Sequence, residues 1–138
     1  MRTLRPSAVA FAAVSLAFLL GAVASAHHSR AGYDTAKEKL TTLNGVVAEL
    51  IWRNPHVYLT WESQDDKGTV VRWTGEFSST STMISEGISR TTFKPGDPLT
   101  ITFMPTKAGT PQGLVIRVVR PDGKVVIDLS ERRGLLEQ

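Results

Sequence analysis

The sequence predicts an all-β domain with one short helix, on three observations. Apolar residues recur at every second position in several short segments, separated by turns rich in Gly, Pro and Asp. The one helix-forming stretch, Ser78 to Gly87, falls after the third segment and before the fourth. In the first segment the alternation changes parity: Leu43, Gly45 and Val47 share one face, whereas Leu50 and Trp52 continue on the other. Such a change marks a β-bulge, here near Ala48-Glu49, which bends a strand as a barrel requires. Three strands, a helix, two more strands and a tail strand make the order of an OB-like barrel of five to six strands. An open meander sandwich is the alternative.

Each element has its own local signal. Asn54-Pro55 ends the first strand, and His56 opens the second. There Val57, Leu59 and Trp61 face one way, and His56, Tyr58, Thr60 and Glu62 the other. Gln64 to Gly68 is a hairpin turn, and Thr69 to Phe77 a third strand with Val71, Trp73, Gly75 and Phe77 on one face. Ser79 or Thr80 caps a short helix carrying Met83 and Ile84, and Gly87 ends it. Ile88 and Phe93 are expected to cover the barrel end. Lys94-Pro95-Gly96-Asp97 turns into a fourth strand with Leu99, Ile101 and Phe103 inward. Leu114, Ile116 and Val118 alternate in a fifth, and Val125 to Leu129 forms the tail strand. Trp61 and Trp73 share parity with aliphatic residues and are expected in the core, with Trp52 at the rim.

The first 26 residues read as an export signal. Arg2 and Arg5 precede the apolar run Ala8 to Leu20, and Ala24 and Ala26 are the small residues before a cut. Cleavage after Ala24 is the alternative. The domain organisation is therefore a signal at 1–26, an arm at 27–39 that lies on the barrel, the barrel at 40–129 and a charged tail at 130–138. The expected location is periplasmic or secreted, with no stable membrane span after cleavage.

Removing residues 1–26 from 138 leaves 112, enough for one core. It also removes two arginines, so the balance is 14 basic against 13 acidic residues, with no basic block and no signal for nucleic acid. The chain has no cysteine, which excludes disulfides, zinc–thiolate sites and thiol nucleophiles. It carries no Gly-x-Ser-x-Gly elbow and no zinc-protease helix motif, and the reading is that it is not an enzyme.

Several motifs together resemble a known family. These are His27-His28-Ser29, Leu43-x-Gly45-x-Val47, Trp52-x-Asn54-Pro55-His56, Trp73 with Glu76, and Lys94-Pro95-Gly96-Asp97. They are similar to those of short exported bacterial proteins that carry a domain-of-unknown-function label. The resemblance runs from His27 to about Lys124 and departs at Ile88, where an aromatic is expected. It implies a periplasmic β-rich domain and no reaction.

The candidate site follows from the histidines, of which there are three: His27, His28 and His56. A cut after Ala26 leaves His27 as the mature terminus, whose α-amine and ring nitrogen form one chelate. A third nitrogen from His56 makes a set suited to copper, Cu(II) preferring tetragonal nitrogen ligands. His28 is a second option, chelating through amine, backbone nitrogen and ring, and Glu76 or Asp34 can add an oxygen. A structural reading stands beside this one, with His56 as a hydrogen-bonded residue of a tight turn. The leading expectation is a small periplasmic binding or accessory protein, with a metal ion or an envelope protein as partner. The alternatives are a metal-free OB-like interaction module for a small ligand, glycan or protein, and a purely structural envelope protein. Arg72, Thr74 and Glu76 are expected to form a solvated surface.

Overall fold

A computed structural model describes residues 31–130 of the chain. The expected export signal at 1–26, the histidines His27 and His28 and most of the charged tail lie outside the described residues. The barrel lies in the unit that begins at Tyr33.

After a 3-10 turn at Lys37–Lys39 come β1 (Thr41–Ile51), β2 (Tyr58–Gln64), β3 (Val70–Glu76), α1 (Thr80–Ser85), β4 (Pro98–Pro105), β5 (Gln112–Val119) and β6 (Val125–Asp128). The strand order is β3-β2-β1-β4-β5-β6, and β3 also pairs in parallel with β5. That last pairing closes a five-stranded barrel in the OB order and leaves β6 as an extra strand on β5. β1 is long enough to serve both neighbours: residues 41–46 pair with β4 and residues 46–51 with β2. Its register shifts between Val47 and Glu49, so the bulge sits where the parity change places it.

The interior is aromatic. Trp61 is fully buried, stacks on Trp73 at 6.3 Å between centroids and meets the Phe103 edge at 5.6 Å. Space for the indole comes from two glycines. A Cβ on Gly45 would lie 2.4 Å from its Cδ1, and one on Gly75 would lie 2.8 Å from its Cζ3. Val47, Leu59, Ile101, Val115 and Val118 complete the packing, with Leu43, Trp52 and Trp73 partly buried against it. One end is plugged by α1 and the loop after it. The Ser79 hydroxyl accepts from the Thr82 amide to cap the helix, and Met83, Ile88 and Phe93 are buried, Phe93 stacked on Phe77.

The fifth strand corrects the sequence reading. Leu114 and Ile116 do not share a face with Val118. The β4–β5 register shifts between Thr102 and Phe103, where Phe103 pairs with Val115 but Thr102 with Arg117. Ile116 is the extra residue of that bulge, which reverses parity. Val115 and Val118 therefore point inward, while Leu114 and Ile116 join Met104 in a second buried cluster outside the barrel. Tyr33 and Leu40 pack onto this second cluster.

Candidate functional site

The connection from β1 to β2, residues 52–57, is fixed at both ends. Asn54 and Pro55 are joined by a cis peptide bond. The Asn54 side-chain oxygen accepts from the Thr80 amide at 3.2 Å and its hydroxyl at 2.8 Å, which ties the loop to the start of α1. The Val57 amide donates to the Ser78 carbonyl, and the Phe77 amide to the Val57 carbonyl. Since Val57 is buried, alternation turns His56 away from the core.

What His56 meets there is Glu76, at the end of β3. Hairpin pairing sets Tyr58 opposite Glu76, so His56 is its near diagonal neighbour. The imidazole Nδ1 lies 2.7 Å from Glu76 Oε1, with the two side chains 33% and 17% exposed. The other carboxylate oxygen, Oε2, accepts from the Tyr33 hydroxyl at 2.8 Å. Glu76 is thus not part of a plain solvated surface, as alternation alone suggests, but the junction of three segments. Arg72 and Glu62, further along the same face, do form an exposed ion pair.

Tyr33 reaches the junction because the segment before β1 runs along β4. It forms an antiparallel bridge with Thr106, and the next amide, Asp34, donates to the Pro105 carbonyl at 2.8 Å. Burial pushes the Tyr33 hydroxyl well above the usual tyrosine range, and the hydrogen bond to Glu76, with its charge and that of Tyr58, pushes it further. The Tyr58 hydroxyl is also raised, by burial and then by Glu76, against the Arg53 guanidinium, which lies 5.9 Å from the Tyr58 ring centroid. Both phenols stay protonated donors at neutral pH.

In the neutral imidazole, a carboxylate on Nδ1 favours the tautomer with the ring proton there, whose lone pair lies on Nε2. Metal-ligating imidazoles commonly carry such a carboxylate partner on the other nitrogen. Glu76 therefore fits the role of orienting His56 better than that of a direct oxygen ligand. Asp34 is engaged locally, its Oδ1 accepting from the Ala36 amide at 3.4 Å. Among the described residues no group of three or more His, Asp or Glu is placed to hold a metal ion by itself. Of the predicted site residues, the structure places His56, and His27 and His28 lie outside the described residues.

Tyr33 is the arm's one aromatic, which the sequence offers as the residue that pins the arm to the barrel, and it does pack there. What sequence reasoning missed is its hydrogen bond to Glu76 and the shared role of that carboxylate. The hairpin register could have placed Glu76 near His56. No local pattern announces that Tyr33 comes alongside Thr106. Residues 15–117 match a family model described as a family of unknown function, DUF6152. No curated protein and no solved structure matches the chain.

Proposed function

Since the chain belongs to the DUF6152 family of unknown function, whose label assigns it no reaction, we propose from the site that the barrel is a binding domain whose working group is the His56 imidazole. One observation carries this: Glu76 Oε1 at 2.7 Å from Nδ1, which orients the ring and leaves Nε2 as the donor. We read the protein as an exported accessory or carrier protein of the periplasm, and not as an enzyme.

The finer reading assigns Cu(II) as the ligand. His56 supplies one nitrogen, and the mature terminus at His27 supplies its amine and ring nitrogen. His27 precedes Tyr33 by six residues, a tether of at most about 20 Å when extended. His28 is the spare ligand. Copper supplies a centre that prefers a nitrogen set of this kind, and the chain supplies the orientation of one donor.

The test is Cu(II) titration of the mature chain. His56→Ala and one extra residue before His27 should each weaken binding by about tenfold or more, and His28→Ala much less. Affinity insensitive to both of the first two changes would sink the copper reading.

A metal-free interaction module has its own support in the OB order. Loops 52–57 and 106–111 and the outer faces of β2 and β3 are the parts of such barrels that hold oligomeric ligands. That reading expects a glycan or protein partner to contact Tyr58, Thr60 and Thr74, with copper irrelevant to its binding.

A further inference from the structure

Building on the reading of His56 as the working ligand group, we propose that Tyr33 is its positioning residue, and that occupation of Nε2 is coupled to closure of segment 33–40 on the barrel. Glu76 is the shared element. Each of its oxygens has one donor, the Tyr33 hydroxyl at 2.8 Å on Oε2 and His56 Nδ1 at 2.7 Å on Oε1. A carboxylate held on both oxygens has lost its freedom to rotate, so the imidazole it grips has one orientation. Removing either donor frees the other.

Tyr33 is itself fixed by observations that do not involve His56. Its backbone bridges Thr106, and its ring packs against the outer cluster of Met104, Leu114 and Ile116. The hydroxyl is therefore delivered to Glu76 by the docked segment, and withdrawing the segment withdraws the donor. Burial beside Glu76 keeps that hydroxyl protonated. If the docked segment raises the affinity of Nε2 for a ligand, the ligand must by reciprocity favour the docked segment to the same degree. The arm then serves as a latch read out by the ligand, and the exposed Lys37 and Lys39 lie in the part that moves.

Tyr33→Phe separates the hydroxyl from the packing, because the ring remains on the outer cluster. Two measurements decide. The first needs no metal: the tautomer of His56, read from its imidazole 15N shifts at about pH 8.5, where an ordinary histidine is neutral. The wild type should show the Nδ1-protonated form, the minor one in free histidine, and Tyr33→Phe should show a mixture. The second uses Cu(II) alone. Affinity should fall about threefold to tenfold in Tyr33→Phe, and saturating Cu(II) should slow trypsin cleavage after Lys37 and Lys39 more strongly in the wild type than in the variant, where only the His27 ligand ties the arm to the metal. An unchanged tautomer, a higher Cu(II) affinity, or equal protection in both proteins overturns the proposal. Failure of the functional reading looks different: His56→Ala leaves Cu(II) affinity unchanged. In that event the coupling falls too, and the metal-free tautomer alone decides whether Tyr33 positions His56.

Discussion

Around Met104 and Leu114 to Ile116, β4 and β5 are buried on both faces, but by different means. Inward, Phe103, Val115 and Val118 meet a filled aromatic core in which Gly45 and Gly75 leave room for Trp61. Outward, Met104, Leu114 and Ile116 form a small cluster covered by Tyr33 and Leu40, with a polar edge at Glu76. The inner face is specified by volume and tolerates little change. The outer face is specified by one bridge, two side chains (Tyr33 and Leu40) and two hydrogen bonds, from the Tyr33 hydroxyl and the Asp34 amide, so it can separate without unfolding the barrel. The barrel is the rigid scaffold, and the candidate site lies on the seam.

The comparison breaks most directly at its rigid end. Trp61→Ala should cost about 3–5 kcal/mol, read as a lowered urea midpoint. An unchanged midpoint would mean that the interior is not organised around this indole. Gly75→Ala should come next, at about 1–3 kcal/mol. Its new methyl would sit 2.4 Å from Val115 Cγ2 and 2.8 Å from Trp61 Cζ3, both side chains already packed. Stability equal to wild type would show that the core has slack.

The seam should respond more weakly. Tyr33→Phe should lower global stability by about 0.5–1.5 kcal/mol at most, yet increase hydrogen exchange at the Asp34 amide, which donates to Pro105. A loss matching that of Trp61→Ala would merge the two regions into one.

The smallest effect on the fold is the alkaline one. Tyr33 has a raised value in the folded chain, with Glu76 and Tyr58 the charged and titratable groups acting on it. Its contribution is then fully present below the ordinary tyrosine value of 10.0 and lost as pH rises through the folded value. The difference in tyrosinate absorbance between wild type and Tyr33→Phe should therefore develop only above pH 10. A difference appearing below it would place the hydroxyl in water, away from Glu76.

Legibility in the sequence followed the same division. β2 is buried on one face over most of its length, so its alternation reads directly and gives Leu59 and Trp61 inward. The bulge in β1 was legible because two residue sets of opposite parity flank it. The bulge in β5 was not, because Leu114, Val115 and Ile116 are all apolar and all buried, and a strand buried on both faces loses its period. His56 stood out as a rare residue beside a proline. Its partner Glu76 looked like any outward carboxylate, since what distinguishes it is convergence across the sheet. Tyr33 and Glu76 are 43 residues apart, and no periodicity spans that interval.

The bridge from Tyr33 to Thr106 also sets an order of events. A ribosome makes Tyr33 early and Thr106 more than seventy residues later. At synthesis rates of about 5–20 residues per second, the leading segment waits several seconds without its docking strand. Barrel closure waits for the same stretch, because β3 finds its second neighbour only when Gln112 to Leu114 are made. The first part of the domain to be made is therefore among the last to be seated. A nascent chain arrested before β4 is complete should keep Tyr33 open to solvent and to proteases, and one released after β5 should not.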